Sequence, residues 1–137
     1  VILSGTVRTF KPEIRKIIEN KIKETALGIS KSYNGEAEII YTKKYPPTIN
    51  PKKETSFAAN VAKELVGDDN VFENIDPCMG GEDFSYMLNE KPGSYLYIGQ
   101  QDENHKAYLH TSKYDFNDNL LPVGVNFWVK LVNKFFE

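Results

Sequence analysis

Residues 1–18 read VILSGTVRTFKPEIRKII, and the hydrophobic period changes in the middle of this stretch. Apolar and polar side chains alternate over the first part, which predicts a β-strand. Pro12 then opens a helix, because proline is favoured at the first helical position. A turn at Asn34-Gly35 and a second strand-like run at residues 36–45 follow. The pattern predicts a strand–helix–strand unit, half of a two-layer sandwich.

The stretch YPPTINP, residues 45–51, breaks this periodicity and predicts a domain boundary near residue 47. Beyond it, helix and strand patterns alternate, so residues 48–137 are expected to form an α/β segment. Helices are predicted from Asn50-Pro51 to Gly67, over residues 78–90 and after a cap at Asp118; strands are predicted at residues 71–75 and 94–99. Helical spacing predicts core positions at Phe57, Val61, Ala62, Leu65, Leu121, Val125, Trp128, Val132 and Phe135.

Composition and charge exclude several classes of function. The chain has 137 residues with 17 basic and 19 acidic side chains, interspersed, for a net charge of −2. This charge pattern has no basic patch of the kind that binds nucleic acid or an anionic membrane. No apolar run approaches the roughly 20 residues of a spanning helix, and no signal segment opens the chain. A single cysteine, Cys78, favours a reducing cytoplasm, and an opening without methionine leads us to expect a piece of a longer protein.

The stretch GGEDFSYM, residues 80–87, is the most site-like part of the sequence. Gly80 and Gly81 lead into a predicted helix, where backbone amides can approach an anionic ligand. The simpler interpretation is a glycine turn in which Glu82 and Asp83 complement the helix dipole. Adjacent helical positions diverge by about 100°, so this acidic pair does not suit general acid/base catalysis.

The two histidines, His105 and His110, do not form a recognisable metal motif on their own. Catalytic zinc takes three protein ligands, and no spacing in this sequence collects three. A surface histidine or a hydrogen-bonded structural histidine is the better interpretation of either residue taken alone. Cys78 is expected to be semi-buried, Arg8 to be a solvated strand charge, and the Tyr45-Pro46-Pro47 segment is a candidate surface for a partner.

Several motifs nevertheless occur together and in order. They are SGTVRTF with its following Pro-Glu-x-Arg helix, YTKKYPPTIN, MGGEDFSYML, KPGSYLYIG and LHTSKYDFNDNLLPVG. This ordered set covers nearly the whole chain. It resembles the C-terminal portion of the dinuclear-metal amidohydrolases that include hippurate hydrolase, N-acyl-L-amino-acid amidohydrolase and the auxin-conjugate hydrolases.

The resemblance implies a fold, a reaction and partners. Residues 1–47 would be the second half of a ferredoxin-like lid domain that mediates homodimerisation, and residues 48–137 the C-terminal portion of a zinc-peptidase-like α/β catalytic domain. The whole enzyme would cleave the amide of N-acyl amino acids with a metal-activated hydroxide and two divalent ions, zinc or manganese.

Carried over to this chain, the resemblance implies that His110 is a metal ligand. It also implies that Gly80, Gly81 and Arg8 line the substrate site, with Arg8 gripping a carboxylate. The general base and the other metal ligands are expected in a part of the enzyme that precedes the lid strand. The isolated chain is therefore expected to bind metal weakly and to be inactive. The alternative is a truncated, non-catalytic relative that acts as a binding or dimerisation module.

Overall fold

The computed structural model describes residues 1–137 and contains four α-helices. They are α1 (Pro12–Ser32), α2 (Lys52–Val66), α3 (Phe84–Glu90) and α4 (Leu121–Phe136), with short 3₁₀ turns at Asp68–Asn70 and Asp118–Leu120. None of these helices combines the length and the apolar character needed to cross a membrane. The chain divides into two compact units: residues 1–49 with 76–91, and residues 50–75 with 92–137.

The predicted strands are not formed as strands. No residue in the four strand-like stretches belongs to a β-ladder, so the α/β expectation is met only in its helices. A strand is stabilised by hydrogen bonds to a neighbouring strand, and an alternating pattern does not supply that neighbour. The division into residues 1–47 and 48–137 stays a prediction about the domains; the first compact unit also takes in residues 76–91.

In the first unit, α1 begins at Pro12 as predicted and ends at Ser32, before Asn34 turns the chain with a φ of 57°. Its more buried edge is polar and carries Glu19 among the buried residues. Glu19 accepts from Lys23 at 2.6 Å and pairs with Lys43 at 3.2 Å. The helical spacing of Ile14, Ile17, Ile18, Ile22 and Ile29 predicts an apolar inner face for this helix, but most of these side chains are exposed. Polar contacts therefore join this helix to the rest of its unit.

In the second unit, α2 packs against α4. The buried cluster consists of Ala58, Val61 and Phe127, with Phe57, Ala62, Leu65 and Leu131 packed against it. The predicted inner face of α2 is therefore confirmed, and α2 ends before Gly67 as predicted. The predicted inner face of α4 is wrong: Trp128 is 63 % exposed, whereas its neighbour Phe127 is 8 % exposed.

Two helix starts also differ from the prediction. Asn50 does not cap α2; its side chain instead pairs with the backbone of Tyr95, donating to the carbonyl and accepting from the amide, both at 2.8 Å. Asp118 does not cap the last helical segment, because the side chain of the buried Asn117 accepts from the amide of Asn119. In the first case a contact with a distant backbone segment replaces the predicted cap. In the second case the residue before the predicted cap takes the capping role.

Candidate functional site

Arg8 and Gly81, two of the residues predicted to line a substrate site, lie together in the first unit. Arg8 is exposed, and its Nη1 donates to the carbonyl of Met79 at 2.9 Å. A Cβ atom built on Gly81 would lie 3.2 Å from the same Nη1 and 3.5 Å from Cδ2 of Tyr45. The contact with Nη1 is tighter than a Cβ normally makes, whereas the contact with Tyr45 is an ordinary van der Waals distance. The absence of a side chain at residue 81 thus allows the guanidinium to lie against the backbone.

The glycine pair does not open a helix. Helix α3 begins at Phe84 and has seven residues, so Gly80 and Gly81 lie in the segment that precedes it. The predicted helix over residues 78–90 is therefore shorter in the structure. At its start, the carbonyl of Glu82 accepts from the amide of Ser85 at 3.2 Å and from its hydroxyl at 2.6 Å. Cys78, expected to be semi-buried, is exposed.

Tyr45 borders the Arg8–Gly81 contact, and its ring packs against that of Tyr86. The rings of Tyr45 and Tyr86 meet edge to face, with centroids 5.7 Å apart and an interplanar angle of 73°. The backbone of Tyr45 is held from α1 by Arg15, which donates to the carbonyls of Lys44 at 3.1 Å and Tyr45 at 3.5 Å. The sequence pattern indicates Tyr45 only as part of a partner surface and gives no separate role to Tyr86. Their contact spans 41 positions of the chain, for which no local pattern exists.

The chemistry available at this cluster is that of an anion-binding site. A guanidinium has five N–H donors in a planar fork that matches a carboxylate. Arg8 makes one hydrogen bond within the chain, to Met79, so donors remain for a ligand. Arg15, in contrast, directs both of its Nη atoms to backbone carbonyls. The two arginines of this unit are therefore suited to different tasks, ligand contact and positioning.

His110 belongs to the second unit and lies in an exposed turn rather than at the end of a strand. Its φ is 64°, in the left-handed region that a non-glycine residue adopts infrequently. The turn is stabilised on either side of it, since Thr111 Oγ1 donates to the carbonyl of Tyr108 at 2.9 Å. The imidazole has no hydrogen-bond partner within the chain, so both ring nitrogens are accessible.

His105 has the structural role that its sequence context indicates. Its Nδ1 lies 2.8 Å from Oδ1 of Asp102, which also accepts from the backbone amides of His105 and Asn104. These contacts, led by the side-chain hydrogen bond with His105, hold the pKa of Asp102 below its usual range. The second carboxylate oxygen accepts from Asn117 at 3.0 Å. The cluster ties the loop to the 3₁₀ turn that precedes α4.

The chain belongs to the peptidase family M20/M25/M40, whose family model matches residues 4–134. It is 34 % identical over 132 residues to hippurate hydrolase of Campylobacter jejuni subsp. jejuni serotype O:2, covering 96 % of this chain and 34 % of that protein. It is also 34 % identical over 140 residues to an uncharacterized hydrolase of Staphylococcus aureus strain N315, covering 98 % of this chain and 36 % of that protein. No solved structure matches the chain.

The predicted resemblance to an M20-type amidohydrolase family is thus confirmed, and the chain matches part of the length of such proteins. The chain spans about a third of the length of the curated relatives it matches. The structure brings together no group of three or more His, Cys, Asp or Glu side chains that could hold a metal ion. The residues present do not by themselves fit a two-metal centre.

Proposed function

We propose that this chain is the carboxylate-binding portion of a metal-dependent amidohydrolase that cleaves the amide bond of N-acyl amino acids. The observation that carries the proposal is the contact of Arg8 with the glycine segment, residues 79–81, through the carbonyl of Met79 and the backbone at Gly81. Arg8 is exposed, and most of its donors are free. Family membership supports the reaction class, and the similarity to a protein named hippurate hydrolase supports an N-acyl amino acid as the substrate.

In this proposal Arg8 binds the substrate carboxylate through the guanidinium donors that Met79 does not use. A charge-assisted, bidentate contact fixes both the position and the orientation of a carboxylate. Gly80 and Gly81 leave room for the ligand and offer backbone amides beside it. The scissile amide, one carbon away from the carboxylate, is thereby held at a fixed distance from Arg8.

For the whole protein we propose two divalent metal ions, zinc or manganese, to which this chain contributes His110. The exposed imidazole without an internal partner is compatible with that role. The same proposal includes a ferredoxin-like lid that pairs two copies of the protein, residues 48–137 in an α/β catalytic domain, and a cytoplasmic location. It assigns the general base to residues outside this chain, so we expect the isolated chain to be inactive.

A fusion protein tests the proposal. The portion of the Campylobacter hippurate hydrolase that this chain matches is replaced by residues 4–134, and release of glycine from hippurate is followed with zinc or manganese present. We expect activity in the fusion, a KM raised roughly tenfold or more by Arg8→Gln through loss of a charged hydrogen bond, and a strongly lowered kcat in His110→Ala. His105→Ala is the matched control and should leave both constants within about twofold.

The proposal fails if the fusion is active and all three variants behave alike. A fusion that folds and binds hippurate without hydrolysing it favours the alternative, a non-catalytic binding module. The absence of a metal-binding cluster within this chain is the observation that keeps this alternative open.

A further inference from the structure

The edge-to-face pair of Tyr45 and Tyr86 lies at the carboxylate site and has no assigned role. Both rings are about half exposed, at 48 % and 49 %, although they contact each other. The rings therefore contribute little to a core and leave aromatic surface open to a ligand. In the same unit, Tyr33 is 84 % exposed and makes no ring contact, so it serves as an internal comparison.

One member of the pair, Tyr45, lies near Arg8. Nη1 of Arg8 and Cδ2 of Tyr45 both lie close to the point where a Cβ of residue 81 would stand, at 3.2 Å and 3.5 Å. The two atoms are accordingly no more than about 7 Å apart. A carboxylate bound to Arg8 would therefore have an aromatic surface within reach of its nearest substituent.

The pair is also held in place from two sides. Arg15 fixes the backbone on the Tyr45 side through the carbonyls of residues 44 and 45. Tyr86 lies on α3, next to the fully buried Ser85, whose hydroxyl is bonded to the carbonyl of Glu82. Because the two rings are held independently, binding of a ligand does not carry the entropic cost of ordering them.

We propose that Tyr45 and Tyr86 form an aromatic wall beside Arg8 that selects N-acyl amino acids with an aromatic side chain. This inference rests on the proposed function, since it takes Arg8 as the carboxylate-binding residue. In an N-acyl phenylalanine the ring lies within about 5 Å of the carboxylate. Nη1 of Arg8 and Cδ2 of Tyr45 are at most about 7 Å apart, so one such ligand can contact both residues. The ring of the acyl group in a benzoyl glycine lies farther from the carboxylate and meets the wall less well.

The size of the preference follows from the energetics of aromatic contacts. One additional aromatic pair strengthens binding by a factor of about 2 to 13 beyond what area alone supplies. We therefore expect N-acetyl-L-phenylalanine to bind the 137-residue chain about fivefold more tightly than N-acetylglycine. N-acetyl-L-phenylalaninamide, which has the ring but no carboxylate, should bind more weakly than either acid.

The experiment is an NMR titration of the ¹⁵N-labelled chain with these three compounds. Tyr86→Leu and Tyr45→Leu should each reduce the preference for N-acetyl-L-phenylalanine to less than about twofold and leave the Kd of N-acetylglycine unchanged. Tyr33→Leu is the matched control and should keep the full preference. Both exposed rings can be removed without opening a core, and the dispersion of the amide spectrum verifies that each variant is folded.

Arg8→Gln separates failure of this inference from failure of the proposed function. If Arg8→Gln weakens both acids but the tyrosine variants keep the preference, the aromatic wall is refuted and the carboxylate site stands. If Arg8→Gln leaves N-acetylglycine binding unchanged, or if neither acid binds, the carboxylate site is refuted and the wall falls with it. A preference lost equally in Tyr33→Leu also overturns the inference, because it would reflect a general change of surface.

Discussion

The observed inner face of α4 differs from the predicted one, and two adjacent residues show the difference. Phe127 is buried against Ala58 and Val61 of α2, whereas Trp128 is 63 % exposed. Removing a phenylalanine ring takes about 150 Å² of apolar surface out of the core, which at about 25 cal/mol per Å² gives an upper limit near 4 kcal/mol. Phe57, Ala62 and Leu65 of α2 are only partly buried and can close part of the cavity, so we expect Phe127→Ala to lower the free energy of unfolding by about 3 kcal/mol.

Trp128→Ala is the matched comparison, and it should cost about 1 kcal/mol, since most of that ring already faces water. Urea unfolding followed by far-ultraviolet circular dichroism measures both values. Phe127→Leu, which keeps most of the volume and should cost less than about 1.5 kcal/mol, retains a measurable transition if the alanine variant does not fold. A Trp128→Ala loss equal to or larger than that of Phe127→Ala would refute the assignment of the inner face of α4.

Two further perturbations test individual contacts. Asn50→Ala removes both hydrogen bonds to the backbone of Tyr95 and should lower the free energy of unfolding by about 1–3 kcal/mol in the same urea assay, whereas an unchanged midpoint would show that the pair does not form. Hydrogen bonds from Lys23 and then Lys43 hold the pKa of Glu19 below its ordinary value of 4.5. The ionised Glu19 therefore stabilises the folded chain above pH 4.5, and this contribution is lost as the pH falls through the lowered pKa. Urea midpoints between about pH 3 and pH 6 should show this loss in the native chain and not in Glu19→Gln.

Helix ends were predictable because their chemical signals are local. Proline at residue 12 and glycine at residue 67 mark the start of α1 and the end of α2, and the structure confirms both. Each signal acts on the backbone of its own residue, through a fixed φ or through tolerance of a positive φ. Such constraints hold whatever the rest of the chain does.

The inner face of α4 was not predictable in the same way. Apolar side chains surround much of this helix, and periodicity alone favoured the stripe that contains Trp128 and Val132. The choice of Phe127 and Leu131 is made by contact with α2, which lies more than fifty residues earlier. A helix with several apolar faces needs its partner before its core side can be named.

The strands and the site also depend on contacts between residues that are far apart in the chain, so local sequence does not predict them. An alternating stretch becomes a strand only beside a partner, and Asn50 finds the backbone of Tyr95 across 45 positions without any local indication. The contact of Arg8 with the glycine segment spans more than seventy positions. Arg8 and Gly81 are predicted site residues through the family resemblance, whereas Tyr86, although it lies in the site-like stretch 80–87, has no predicted role of its own.

The exposure of Trp128 has an experimental consequence, because it is the single tryptophan of the chain. Its fluorescence reports the environment of one face of α4 without any label. In the free chain the emission should be red-shifted and readily quenched by acrylamide. Any polypeptide that covers this face, whether a second copy or another segment of an M20-type hydrolase, would shift the emission to the blue and slow the quenching.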